Sequence, residues 1–242
     1  MKSLLCAMRM TFLFLLINIM AFGCTDDYSY MIDPDSMLLK AGVFGGSISV
    51  RKESEAAKDV WRLNLRIKVS SCGAEGAGFG TMTNRNVPSQ IDAAEPFDIY
   101  ILWASTNDAV KGFLGNVNQF DERTQDGGIQ KSIELIRRKN PQALILFFTS
   151  LPRFDNEMFS FRLPYFVDDQ IELCNKYNIP YLDQYHLCGF NAENYKPYYL
   201  PDKIHLSREG YQKIAAMQME FIREQIIRYY STIKYDDPNE TI

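Results

Sequence analysis

The strongest constraint on the fold is a series of five short apolar runs, at residues 38–44, 67–70, 97–104, 143–149 and 179–182. Within 97–104 the core Ile99-Tyr100-Ile101-Leu102-Trp103 is continuously apolar. A strand with one wet face alternates apolar and polar residues. A strand covered on both faces does not need to, and such strands belong to parallel sheets sandwiched between helices. The intervening segments are long enough for crossover helices. Residues 48–65 are amphipathic. Residues 128–139 carry Ile129, Ile133 and Ile136 at helical spacing and stop at Asn140-Pro141. Residues 164–177 place Val167, Ile171 and Cys174 on one face. A last helix, from Ser207 to about Tyr230, has Tyr211, Ile214, Gln218, Phe221, Ile222, Ile226 and Tyr229 as its inner stripe. A βαβαβ order predicts an α/β fold with a parallel sheet and right-handed crossovers.

The first apolar run ends in Val43-Phe44-Gly45-Gly46-Ser47-Ile48-Ser49. Two glycines and a serine between a strand and a helix place a hydroxyl at the carboxyl edge of the sheet, where open α/β sheets bind ligands. Ser47 is therefore a candidate nucleophile. It needs a base, an orienting acid and oxyanion donors from elsewhere in the chain.

At 242 residues, with 46% hydrophobic and 23% charged residues, the chain can build one α/β core. Its formal charge of −4 gives no basic surface for nucleic acid, so that class of partner is not expected. The N-terminus reads as a segment outside the fold. Lys2 and Arg9 precede an apolar run over 10–22, shorter than the roughly 20 residues of a membrane span. The run ends at Ala21-Phe22-Gly23-Cys24, which resembles a bacterial lipoprotein box; a plain secretory signal is the alternative. The resemblance implies a signal over 1–23, lipidation of Cys24, a tether over 24–36 and anchoring in a Gram-negative outer membrane or at the cell surface. Thr25-Asp26-Asp27 reads either as a surface-export signal or as a solvated linker. The folded domain is expected over 37–232 and a polar tail over 233–242.

Cys6 would leave with the signal, leaving Cys72, Cys174 and Cys188 in the domain. An odd number argues against a disulfide framework. Cys174 and Cys188 are the nearest pair for a single bridge, and buried thiols are the other state. No cysteine or histidine spacing suggests a metal site, and no cofactor is implied.

The chain has two histidines, and each follows an aspartate by three residues: Asp183 and His186, Asp202 and His205. In either turn the carboxylate can reach a ring nitrogen, fix the tautomer and stabilise the imidazolium. Spacing does not choose between them, although His205 sits just before the last helix. Oxyanion donors could come from two loops. Ser71-Cys72-Gly73-Ala74-Glu75-Gly76-Ala77-Gly78 follows the second strand, with glycines that admit close backbone approach. Ser105-Thr106-Asn107-Asp108 follows the third strand and could equally be turn chemistry.

Taken together, these four stretches resemble the SGNH hydrolases, also called the GDSL esterase/lipase family. The resemblance spans about residues 38–230. It implies a flavodoxin-like three-layer α/β/α sandwich with five parallel strands in the order 2-1-3-4-5. It implies Ser47 as nucleophile and Asp202 and His205 as its partners. Ser47 N–H, Gly76 and Asn107 would form the oxyanion hole, with Gly73 and Gly78 as alternatives to Gly76. Two positions depart from the family pattern. Gly46 stands where Gly-Asp-Ser has an aspartate that supports the loop, and Ser105 stands where Gly-x-Asn-Asp has its glycine.

The implied reaction is ester hydrolysis through an acyl-serine, with a carbohydrate O-acetyl group as the expected substrate. The aromatic residues Phe154, Phe159, Phe161, Tyr165 and Phe166, and Tyr195, Tyr198 and Tyr199, could stack on sugar rings or pack the loops. A lipid or lysophospholipid ester is a second reading. A non-catalytic glycan-binding protein on the same scaffold is a third, motivated by the two departures.

Overall fold

The computed structural model describes residues 38–83 and 85–235. The proposed signal, Cys24, the tether and the tail beyond residue 235 lie outside the described residues. The five apolar runs form β1 (Lys40–Gly45), β2 (Lys68–Ser71), β3 (Ile99–Trp103), β4 (Leu144–Phe148) and β5 (Tyr181–Leu182). All pairings are parallel, in the order β2-β1-β3-β4-β5. The chain thus starts mid-sheet and reverses direction between β1 and β3, the place where such sheets open a crevice at their carboxyl edge.

The helices are α1 (Ser47–Val50), α2 (Glu55–Leu65), α3 (Val87–Ala93), α4 (Asn107–Lys111), α5 (Gln125–Lys139), α6 (Glu157–Tyr177), α7 (Gln184–Leu187) and α8 (Arg208–Tyr235). Alternate strand residues serve the two covered faces. Val43, Ile101, Trp103, Leu146 and Phe148 pack with Trp61 of α2 and with Tyr211, Ile214 and Ile222 of α8. Phe44, Tyr100, Leu102, Ile145 and Phe147 pack with Ile91 of α3, Ile129, Ile133 and Ile136 of α5, and Leu173 and Cys174 of α6. This is why the runs are apolar throughout.

All four expected helices differ in their bounds from the sequence reading: α5 begins three residues earlier, at Gln125 after a Thr124 cap, and the other three differ as follows. The helix expected over 48–65 is broken: α1 stops, Arg51 is extended, a 3-10 turn covers Lys52–Ser54, and α2 begins at Glu55. Serine hydroxyls replace the missing helical bonds. Ser49 Oγ donates to Gly46 O at 2.8 Å and Ser54 Oγ to Arg51 O at 2.6 Å. The ammonium of Lys58, fully buried under the break, donates to Ser49 O and Ser71 Oγ at 2.6 Å and pairs with Glu55 at 2.9 Å. Burial pushes its pKa down against the pull of Glu55. The second difference is α6, which begins at Glu157, capped by Asn156, and carries Pro164 inside rather than at its start. The third is α8, which continues past Tyr230 to Tyr235.

Cys72, Cys174 and Cys188 are free thiols. Cys174 and Cys188 belong to the cores on opposite faces of the sheet, so the nearest pair in sequence is not a pair in space.

Candidate active site

β1 ends at Gly45, where a side chain has no room: a Cβ would lie 2.2 Å from Trp103 O on the neighbouring strand. The Gln90 side chain grips Gly45 from both sides, accepting from its N–H at 3.1 Å and donating to its carbonyl at 3.0 Å. The chain then turns through Gly46 into α1, whose first residue is Ser47. Tyr211 of α8 donates to Ile48 O at 2.7 Å and fixes this short helix from below. Ser47 is half-buried, and its Oγ lies 2.8 Å from His205 Nε2.

His205 is held by a loop tied at both ends. Leu200 N–H donates to His205 O at 2.8 Å, and Phe154 N–H donates to Lys203 O at 2.9 Å. Lys203 takes a left-handed conformation, φ 60°. Asp202 reaches back along this loop. Its Oδ2 lies 2.7 Å from His205 Nδ1, and its Oδ1 accepts the N–H groups of Ile204 and His205, each at 3.0 Å. Partial burial opposes ionisation of Asp202, but the His205 and Ile204 N–H groups and the imidazole outweigh it and hold the carboxyl below its ordinary pKa.

The other pair makes the same local turn. His186 Nδ1 lies 2.7 Å from Asp183 Oδ2. The difference is placement. The His186 side chain is 57% exposed, against 14% for His205, and the contact with Ser47 belongs to His205.

The glycine loop turns at Gly76, φ 74°, with Ala77 N–H closing the turn onto Ala74 O at 3.2 Å. Ala77 O then accepts Ser105 Oγ at 2.7 Å and Asn107 Nδ2 at 2.8 Å. Asn107 Nδ2 also reaches Ser105 Oγ at 3.1 Å. The amide therefore stands beside Gly46 with protein acceptors for its hydrogens. Asp108, fully buried, accepts Phe79 N–H at 2.8 Å and Gly80 N–H at 3.0 Å, which clamps the glycine loop to the start of α4. Burial raises its pKa to about 6, moderated by those two N–H groups. Sequence reading gave Asp108 no role beyond a turn. Its partners are 28 and 29 residues away, and no local signal marks them.

The aromatic residues divide by role. Phe154 stacks on Tyr195 with centroids 4.5 Å apart and meets Tyr199 edge-on. Tyr198 and Tyr199 pack on Phe190, and Tyr199 OH donates to Pro152 O at 2.7 Å. This group supports the His205 loop. Phe159 lies under the Arg153 guanidinium, and Phe166 is buried. Phe161 and Tyr165, exposed on α6, form an edge-on pair. Among the described residues no group of three or more His, Cys, Asp or Glu is placed to hold a metal ion.

The fold has clear relatives. Residues 43–213 match the model of the GDSL-like lipase/acylhydrolase family. No curated protein matches the chain. Among solved structures, a protein from Lactobacillus plantarum aligns with TM-score 0.67 and 17% identity, covering 78% of this chain and 98% of that one. A possible lipase from Chitinophaga pinensis DSM 2588 aligns at 0.61 and 19%, covering 77% and 98%. The lipase/acylhydrolase from Enterococcus faecalis aligns at 0.56 and 16%, covering 77% and 96%. At these identities the structural likeness is one of fold, and the family match carries the assignment. The chain belongs to the GDSL-like lipase/acylhydrolase family and is an ester hydrolase.

Proposed function

We propose that the chain removes small acyl groups, acetyl foremost, from carbohydrate through an acyl-enzyme on Ser47. The observation that carries the chemistry is the unbroken chain of hydrogen bonds from Ser47 Oγ through His205 to Asp202, at 2.8 and 2.7 Å. His205 Nε2 takes the hydroxyl proton as Oγ attacks the ester carbonyl, and Asp202 stabilises the imidazolium. The developing oxyanion is met by the N–H groups of Ser47 and Gly76, with Asn107 turning its amide from Ser105. His205 returns the proton to the leaving alcohol, then activates water to release the acid.

The polar rim supports a hydroxylated alcohol over a lipid. Arg51 and Glu75 form an ion pair of 3.2 Å beside Gly76, and Lys111 Nζ comes within 3.7 Å of the position a Gly76 Cβ would take. The exposed Met158, Phe161 and Tyr165 favour the second reading, a lipid or lysophospholipid ester. The test is a substrate panel. Acetate release from acetylated xylan and turnover of p-nitrophenyl acetate are expected, with p-nitrophenyl palmitate and lysophosphatidylcholine at least about 100-fold slower in kcat/KM, a gap of about 3 kcal/mol. Preference for the long chains would reverse the substrate assignment. No turnover of any ester would leave a glycan-binding protein.

The apolar run over 10–22, followed by Gly23-Cys24, supports a secreted protein anchored by lipid on Cys24. Full-length protein is expected in the membrane fraction, and Cys24→Ser is expected to leave it. Retention of that variant on the membrane would exclude the anchor.

A further inference from the structure

We infer that Ser105 is a positioning residue for Asn107 and the glycine loop, and that its hydroxyl and the bare Cα of Gly46 form one reciprocal arrangement. The inference rests on the ester-hydrolase mechanism proposed for Ser47. Ser105 is 4% exposed, and its hydroxyl is fully used. It donates to Ala77 O at 2.7 Å and accepts Asn107 Nδ2 at 3.1 Å and Asn107 N–H at 3.3 Å. One hydroxyl offers one hydrogen and two lone pairs, and all three have a partner.

The Ser105 backbone is equally fixed. Its carbonyl accepts Ser150 Oγ at 3.0 Å. Behind Ser150 stands a buried relay. Gln170 holds Ser150 N–H at 3.0 Å and donates to Gln125 at 2.8 Å, and Gln125 donates to Phe166 O at 2.9 Å. Both glutamines are buried. Ser105 therefore joins the mouth of the site to the packing of α5 on α6.

Gly46, in the turn after β1, faces the same atoms. A Cβ on Gly46 would lie 2.5 Å from Ala77 O, 2.8 Å from Ser105 Cβ and 2.9 Å from Asn107 Nδ2. Two of these are the groups that the Ser105 hydroxyl holds in place, and the third is Ser105 itself. The space beside Ser47 admits one side chain, which here comes from the segment after β3 rather than from the turn after β1. The glycine loop is thus held from position 105, and position 46 stays empty. The Asn107 contact to Ser105 is longer than its contact to Ala77. It is the one the amide can exchange for an oxyanion without moving the loop.

The test has two arms. In steady-state hydrolysis of p-nitrophenyl acetate, Ser105→Ala is expected to lower kcat by about 10-fold or more with KM changed less than about 2-fold, because the lost effect falls on the transition state. An unchanged kcat would overturn the positioning role. The second arm is thermal unfolding of Gly46→Asp, Ser105→Gly and the double variant. Gly46→Asp is expected to melt well below wild type, and Ser105→Gly to recover part of that loss in the double variant. Strictly additive shifts would overturn the reciprocal arrangement. If wild type hydrolyses no ester, the enzymatic reading fails, while the melting cycle still decides whether positions 46 and 105 share one space.

Discussion

Replacing Ser47 by alanine is expected to abolish ester hydrolysis, with kcat falling by about 10⁶-fold, and His205→Ala to cost about as much. In the proposed mechanism the two groups act as one unit: without the imidazole the serine hydroxyl keeps its proton, and without the hydroxyl the imidazole has nothing to activate. The double variant is therefore expected to be no slower than either single one. Asp202→Asn leaves the hydrogen-bond geometry available but inverts the imidazole tautomer, for a loss of about 10⁴-fold. All three are accessible to p-nitrophenyl acetate kinetics, with circular dichroism confirming the fold. His205 is loop-held through the Leu200 and Phe154 contacts, so its removal should leave the core intact. The sign of the Asp202 effect on stability follows from its depressed pKa. Its contribution is complete at neutral pH, persists down to the ordinary aspartate range near pH 4, and disappears below that as the carboxylate gains a proton. Wild-type rates from Ser47→Ala would place the chemistry elsewhere in the chain.

The sheet was legible because burial on both faces writes itself into consecutive residues. Each strand gives alternate side chains to opposite helix layers, so Ile101 and Leu102 are both apolar while facing different cores. The reversal between β1 and β3 was legible only through the family resemblance, since strand order is a long-range property. The broken helix over 48–65 was not legible. Its periodicity is sound, but Ser49 and Ser54 give the backbone a second way to satisfy itself, and Lys58 takes the freed Ser49 carbonyl.

At the site, the two Asp-x-x-His turns were indistinguishable because they are locally the same structure, each with a 2.7 Å contact. Only the meeting with Ser47, 158 residues away, separates them. The aromatic residues show the same limit. Those before Asp202 support the loop that carries His205, and composition could not tell a platform from a prop. The two departures from the family pattern, each unfavourable when read alone, occupy a single volume. That is visible only when β1 and β3 lie side by side.

Asp108 carries the second large effect, and it is one of stability as well as rate. Asp108→Ala is expected to cost at least about 3 kcal/mol in urea unfolding, since it leaves the buried N–H groups of Phe79 and Gly80 without acceptors at about 1–3 kcal/mol each. Gly78 packs directly on this carboxyl, where a Cβ would lie 2.4 Å from Oδ2, so the loop carrying Gly76 and Ala77 should shift with it. A fall in kcat of about 10-fold is expected in the fraction that remains folded, the loss that displacing the proposed oxyanion donor of this loop would cause. The pH dependence has a definite sign. With a pKa of about 6 against 3.8 unfolded, native Asp108 keeps a proton that the unfolded chain has lost between about pH 4 and 6. The Asp108 contribution to stability therefore falls as pH rises across that window, by about 3 kcal/mol, and levels off above it. The raised pKa of Asp126, set by burial and the neighbouring Asp169, adds a slope of the same sign in wild type and variant alike. Asp108→Asn cannot titrate, so the wild-type minus Asp108→Asn difference isolates Asp108: it should fall by about 3 kcal/mol from pH 4 to 6. A difference that stays flat would mean that the two N–H groups outweigh burial and keep Asp108 ionised throughout.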